Sequence, residues 1–293
     1  MVHGVGQHKA VAMNVLVARK LGFCFGVREA IKLAEHTAAE RRAQGRAVHS
    51  LGPVIHNRQV VARLTEQGLQ TIESLAEASA GGTVVIRSHG VSPEVVEEAA
   101  RRGLEIVDAT CVLVKRAQEI VRQLHREGYR VVIIGDPQHP EVQGVLGYAP
   151  GVIVIDSAEE VDRLPEGGRL GILSQTTHSA EHFGRMVGLI AARGYPELKV
   201  VNTICNATTE RQEAAVELCK QVGVMFVLGG HHSANTNRLA EICRETGVPT
   251  FHIEGLEEFR TEMVVDQTTA GVTAGASTPD WVIEQFVRHL EKL

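Results

Sequence analysis

Aromatic residues are scarce in this 293-residue chain, at 4%, with a single Trp. Its core is therefore expected to be aliphatic. Net positive charge is lacking as well: the formal charge is −5, so a sequence-independent grip on nucleic acid has no electrostatic support. No apolar run approaches the roughly 20 residues that a membrane-spanning helix needs, and Met1 to Ala12 lacks the apolar core of a signal peptide. These absences predict a cytoplasmic protein that binds neither nucleic acid nor membrane. Cysteines at C-x-x-C spacing are missing too. That weakens a structural zinc site, which usually shows at least one close ligand pair. The five cysteines are an odd number, and a reducing compartment disfavours a disulfide framework. Metal or redox use of the thiols is the better expectation.

Apolar residues at 44% and charged residues at 22% are those of a folded globular chain. The length favours two or three small domains over one. A short β-branched run, a polar or Gly-containing loop and a segment of helical apolar spacing recur along the sequence. Val84-Val85-Ile86 leads to Arg87-Ser88-His89-Gly90, then to a helix signalled by Ser92 as N-cap and Pro93 in the first turn. The pattern returns at Val131 to Ile134 before Gly135 to His139, and at Leu170 to Leu173 before Ser174 to Thr177. It returns again at Val224 to Leu228 before Gly229 to Ser233, and at Gly271 to Thr273 before Ala274 to Ser277. Continuous apolar strands alternating with helices predict an α/β fold with mainly parallel sheets covered on both faces. Ligands in such sheets collect beyond the carboxyl ends of the strands, so these polar loops should converge.

Cys24 and Cys111 lie 87 residues apart, Cys111 and Cys205 94 apart, and 88 residues follow Cys205. Each follows a strand-like run and opens a helix-like one. Three similar modules in a pseudo-threefold arrangement are expected, each giving one thiolate: residues 24–110, residues 111–204, and residues 13–23 with 205–293. Residues 1–12 read as an N-terminal extension. Three thiolates from three loops suit an iron–sulfur cluster with one iron left without a protein ligand, and a helix N-terminus behind each would stabilise its charge. Three unrelated buried cysteines, or a zinc site of three Cys and one His, are the alternatives on spacing alone. Cys219 and Cys243 fall inside amphipathic helices and read as core.

His56, His89 and His139 each stand in a loop after an apolar run, where imidazoles can donate hydrogen bonds to an anion. Ser233, Asn235, Thr236, Asn237 and Ser277 stand where helices begin. Their ordinary task is capping, yet a helix start that needs its N–H groups satisfied is equally a phosphate site. Glu141 reads as a first-turn carboxylate favoured by the helix dipole. Facing a cluster cavity, it would instead be a proton donor.

The strings Gly22-Phe23-Cys24-Phe25-Gly26-Val27, Asp108-Ala109-Thr110-Cys111 and Ile204-Cys205-Asn206-Ala207-Thr208-Thr209 resemble the IspH (LytB) family of 4-hydroxy-3-methylbut-2-enyl diphosphate reductases. So do His56-Asn57-Arg58, Ser88-His89-Gly90, His139-Pro140-Glu141-Val142, Gln175-Thr176-Thr177, Asn235-Thr236-Asn237-Arg238-Leu239 and Gly271 to Ser277. The resemblance runs from about Met13 to the C-terminus. It implies a trefoil-like protein of three α/β modules around a central four-iron, four-sulfur (4Fe-4S) cluster held by Cys24, Cys111 and Cys205. It further implies that the substrate hydroxyl binds the unique iron and that His56, His89, Ser233, Asn235 and Ser277 hold the diphosphate, with His139 in the same pocket. Thr176 would sit by the hydroxyl, and Glu141 would supply the proton. Two electrons from ferredoxin or flavodoxin would give isopentenyl and dimethylallyl diphosphate, the last step of the methylerythritol phosphate route to isoprenoids.

Two departures are visible: Val112, where the family commonly has Pro, and Ala234, where many members carry a second Ser. A monomeric single catalytic unit is expected. The rival readings are a non-enzymatic iron–sulfur sensor or carrier, which leaves the donor loops without a role, and a zinc-dependent phosphohydrolase.

Overall fold

In the computed structural model, which describes residues 13–293, the expected extension over residues 1–12 lies outside the described residues. Strand β1 (Asn14–Val17) runs into helix α1 (Phe25–Ala43). Strands β2 (Val48–Leu51), β3 (Leu69–Ile72), β4 (Thr83–Ile86) and β5 (Glu105–Asp108) follow, with α2 (Arg58–Glu66) and α3 (Pro93–Arg101) among them. After α4 (Val112–Arg126) come β6 (Arg130–Ile134), β7 (Ile153–Ile155), β8 (Arg169–Ser174) and β9 (Glu197–Val201), with α5 (Pro140–Leu146) and α6 (Ala180–Ala191). After α7 (Asn206–Cys219) come β10 (Val224–Leu228), β11 (Thr250–Ile253) and β12 (Thr269–Ala274), with α8 (Ala234–Glu245) and α9 (Asp280–Leu290).

These strands form three four-stranded sheets in the orders β3-β2-β4-β5, β7-β6-β8-β9 and β11-β10-β12-β1. Every pairing is parallel. The three orders are one topology repeated, except that the fourth strand of the last sheet, β1, comes from the other end of the chain. In each, the first connection runs one way across the sheet and the next runs the other, and in the sheets of β2 and β6 a third connection continues in that second direction. The direction reverses between the two central strands, and that crevice is where an open parallel sheet receives a ligand.

Central strands such as β4 (Thr-Val-Val-Ile) and β10 (Val-Met-Phe-Val-Leu) are buried along their whole length, as a sheet covered on both faces requires. Each sheet accordingly carries two apolar clusters, one per face. The core is mainly aliphatic around the sheets of β2 and β6, with Phe183 and Tyr129 the buried aromatics there. Around β10 the scarce aromatics are concentrated, with Phe226 packing on Phe251, Phe259 and Phe286 at centroid distances of 5.7, 5.9 and 5.1 Å. Cys219 and Cys243 are buried in the cluster beneath α7 and α8. Among the described residues no helix is long and apolar enough to cross a membrane.

A cysteine-lined cavity as candidate active site

The loop after each fourth strand ends in a cysteine. Cys111 follows β5, Cys205 follows β9 and Cys24 follows β1, and each is the N-cap of the next helix, α4, α7 and α1. Their backbone N–H groups are tied across to the loop after the third strand of the same sheet. Cys24 N–H donates to Ala276 O at 3.3 Å, Cys111 N–H to Ser88 O at 3.0 Å and Cys205 N–H to Thr176 O at 2.9 Å. The same bond repeated in three sheets sets each cysteine beside a residue that lines one shared cavity, which all three cysteines also line.

None of the three thiols caps its helix, so the sulfurs remain available. At Cys111, burial pushes the thiol up, the amides of Leu113 and Val114 pull it down, and Cys24 and Cys205 add to the rise. Among the described residues, the groups of ligand atoms lying within 4.8 Å of one another are His56/His89/His139 and Asp156/His178/His182; the three sulfurs do not form such a group. A tetrahedral zinc with Zn–S bonds of about 2.3 Å would need S···S separations of roughly 3.8 Å. Thiols lining one cavity but set wider than that fit a multi-iron cluster better than one zinc ion.

The same cavity is lined by the carboxylate of Glu141. It lies in the first turn of α5, as its position after Pro140 predicts, yet it is only 3% exposed and faces the cavity. Thr176 N–H donates to Oε1 at 2.8 Å and Thr176 Oγ1–H to Oε2 at 2.6 Å. Burial raises its proton affinity and the two bonds from Thr176 only partly offset that, which suits a group that must carry a proton near neutral pH.

The remaining wall is built from neutral donors. The rings of His56, His89 and His139 gather at centroid distances of 4.7, 5.6 and 6.4 Å. His139 Nδ1 accepts the Glu141 N–H at 3.2 Å, which leaves its Nε2 to carry the proton. Burial, with help from the Arg87 guanidinium, lowers His56 to about 4; burial, with help from His56, lowers His139 to about 4; His89 is held well below its usual range. His56 Nε2, His89 Nδ1 and Asn235 Nδ2 are buried without a hydrogen-bond partner. Ser277 Oγ–H donates to His56 O at 3.1 Å, Asn235 Oδ1 accepts the Ala276 N–H at 3.0 Å, and Ser233 caps α8. Unpartnered donors beside a helix N-terminus are what an anion would satisfy.

Residues 15–291 match the sequence model of the family described as LytB protein. The chain belongs to the LytB family. Among its relatives, a 4-hydroxy-3-methylbut-2-enyl diphosphate reductase of Geobacter sp. (strain M21) is 46% identical over 96% of this chain and 98% of its own. One of the same description from Citrifermentans bemidjiense gives the same three figures. Of the solved structures, one of (E)-4-hydroxy-3-methyl-but-2-enyl diphosphate reductase, described as the terminal enzyme of the non-mevalonate pathway, is 44% identical. It matches with a TM-score of 0.70 over 96% of this chain and 100% of that one. The Plasmodium falciparum E-1-hydroxy-2-methyl-but-2-enyl-4-diphosphate reductase is 26% identical, with a TM-score of 0.90 over 95% and 88%.

All the site residues anticipated from the LytB resemblance line this one cavity: the three cysteines, His56, His89, His139, Glu141, Thr176, Ser233, Asn235 and Ser277. Of the two departures from the LytB pattern, Val112 begins α4 and is 60% exposed, and Ala234 begins α8 and lines the cavity.

Two arginines escaped the sequence reading. Arg211 is buried against the cavity, donating to Gly22 O at 2.9 Å and Ala207 O at 2.8 Å, and it feels the charge of Cys24 and Cys205. Arg87 stands behind the three imidazoles and lowers each of them. Only its position directly after the buried strand β4 hinted at it. Arg211, in mid-helix, gave no such signal.

Proposed function

We propose that this chain is a 4-hydroxy-3-methylbut-2-enyl diphosphate reductase, removing the allylic hydroxyl as water with two electrons and two protons to give isopentenyl and dimethylallyl diphosphate, the last step of the methylerythritol phosphate pathway. The observation that carries the reading is the gathering of three free thiols, a buried Glu141–Thr176 pair and unpartnered imidazole and amide nitrogens around one cavity.

In this reading Cys24, Cys111 and Cys205 hold a four-iron, four-sulfur cluster with one open iron site. When bound, it supplies the electrons singly and a Lewis-acidic iron for the departing oxygen. Arg211 offsets the negative charge of the thiolates. His56, His89, Ser233, Asn235, Ser277 and the N-terminus of α8 take the diphosphate, and His139 joins them through Nε2–H. Thr176 Oγ1 orients the hydroxyl; with Glu141 protonated at Oε2 the bond between the two side chains reverses, Oε2–H donating to Thr176 Oγ1 while the Thr176 hydroxyl proton passes to the departing oxygen. The aliphatic wall of Val27, Ile55 and Val114 excludes water from the carbon skeleton. Ferredoxin or flavodoxin is the proposed electron source, and the proposed working form is a cytoplasmic monomer divided into modules at its three cluster cysteines.

A non-enzymatic carrier would need the thiols but gives the Glu141–Thr176 pair nothing to do. Anaerobic incubation of the reconstituted chain with the allylic diphosphate and a low-potential reductant tests the reading. Both five-carbon diphosphate products should form, and recovery of unreduced substrate from a fully loaded protein would reject it.

A further inference from the structure

Outside the cavity, the sheet of β6 to β9 carries a second constellation of ligand-type side chains. Asp156 follows β7, His178 lies between β8 and α6, and His182 is in the first turns of α6. Asp156 Oδ1 stands 3.0 Å from His178 Nε2 and 3.0 Å from His182 Nε2. The rings are stacked at 5.0 Å with 18° between their planes. We infer that Asp156, His178 and His182, none of which lines the cysteine-lined cavity, form a binding site for a divalent transition metal of the zinc type.

A plain ion-pair cluster would need an N–H from each imidazole aimed at the carboxylate. His182 meets that demand with a hydrogen bond to Oδ1 at 3.0 Å. His178 does not: its Nε2 is buried with no hydrogen-bond partner, although the same oxygen is 3.0 Å away. That nitrogen is therefore left free to act as a ligand, within 4.8 Å of the ligand atoms of Asp156 and His182. Ligand atoms about 3.0–3.3 Å apart are the edges of a tetrahedron with metal bonds of about 2.0 Å. Two imidazole nitrogens and one carboxylate oxygen select zinc, cobalt or nickel over calcium or magnesium, which prefer all-oxygen sites.

The three ligands are also held in place before any metal arrives. Glu160 Oε2 accepts the N–H groups of Asp156 at 2.7 Å and Ser157 at 3.2 Å. His178 N–H is bound to Gln175 O at 3.2 Å, and Ser179 Oγ accepts the His182 N–H at 3.2 Å. The side chains remain 37%, 15% and 16% exposed in the order Asp156, His178, His182, so solvent can reach the fourth position. Arg185 Nη2, 2.9 Å from His182 Nδ1, must swing aside as that nitrogen takes up the proton which Nε2 releases to the metal. Arg185 lies on the exposed side of α6, where that movement is free.

The test is zinc uptake by the anaerobically prepared, cluster-loaded chain at pH 7.5. After exposure to Zn²⁺ and desalting, one zinc per chain should be retained with iron and sulfide unchanged. X-ray absorption at the zinc edge should show nitrogen and oxygen neighbours with imidazole scattering and no sulfur. Asp156→Asn, nearly isosteric and expected to fold, and His182→Ala should each abolish retention, whereas His89→Ala should keep it. Zinc held equally by Asp156→Asn and His182→Ala, sulfur neighbours, loss upon His89→Ala, or no retention by the parent chain would each overturn the inference.

Discussion

Both carboxylate oxygens of Glu141 are claimed by one residue, Thr176, whose N–H reaches Oε1 at 2.8 Å and whose Oγ1–H reaches Oε2 at 2.6 Å. A carboxyl group gripped from one side and otherwise buried keeps its proton longer than an exposed one. Through Thr176 it has one route to anything standing in the cavity.

Glu141→Gln removes the transferable proton while keeping an oxygen for the Thr176 N–H. Turnover should fall by about 10²- to 10⁴-fold, the usual worth of a positioned general acid, with diphosphate affinity retained. Because burial raises the Glu141 carboxyl, the native side chain costs stability above the pH at which its unfolded form ionises. The variant should therefore melt no lower than the parent at pH 7. Steady-state kinetics with a low-potential dye and thermal melts check both halves.

Thr176→Val deletes the Oγ1–H bond, and Thr176→Ser keeps it. The Val form should lose about 1.5–3 kcal/mol of the interaction, roughly 10- to 100-fold in turnover, and the Ser form should recover most of it. The Glu141 carboxyl, deprived of a bond that lowers it, should move the alkaline limb of the rate profile to higher pH, since the donor then stays protonated longer. A Val variant with parental turnover would take Thr176 out of the proton route.

His56 and His139 are lowered to about 4 from 6.5 in the ligand-free chain, by burial first and by neighbouring positive groups second. The unfolded chain therefore takes up protons that the fold refuses as pH falls from 6.5 toward 4, and the free protein loses stability over that window. A bound diphosphate raises the same imidazoles, so inorganic diphosphate should bind more tightly at pH 6 than at pH 8, with net proton uptake. Titration calorimetry in two buffers of different ionisation enthalpy measures that uptake; proton release on binding would contradict it.

A Cβ at Gly26 would stand 2.5 Å from Cys111 Sγ and 3.3 Å from its Cβ. Gly26→Ala, in the first turn of α1, should leave helix content unchanged and lower the iron and sulfide retained per chain, because Cys111 must turn away. Full cluster loading in that variant would show that Cys111 has room the geometry denies.

Much of this was legible in the sequence, for reasons of different strength. Cysteines at near-equal intervals, each between a β-branched run and a helix start, anticipated three parallel-sheet modules, since one residue type recurring at one point of a repeated unit marks the repeat. The position of Glu141 in a first turn was legible, but its burial was not. Pro140 and the helix dipole explain the position equally well for an exposed carboxylate, and only the packing of the Thr176 loop distinguishes the two. Arg211 and Arg87 were not legible, because a basic residue in a helix or after a strand is normally solvated, and nothing local announces that tertiary contacts will bury it. The gathering of Asp156 with His178 and His182 likewise depends on two connections crossing the same sheet, information that periodicity does not carry. Composition misjudged one detail: few aromatics meant a mainly aliphatic core, yet four of the seven Phe residues meet around β10.

The central claim is that Cys24, Cys111 and Cys205 hold an iron–sulfur cluster with one site open to the diphosphate substrate. Iron, sulfide and zinc content of protein purified without oxygen, with electron paramagnetic resonance of the reduced form before and after adding that substrate, tests it most directly. About four irons and four sulfides per chain, with a spectrum altered by substrate and a loading lost upon replacing any of the three cysteines, is the predicted result. Zinc in place of iron at the cysteines, or a cluster whose spectrum ignores the substrate, would contradict it.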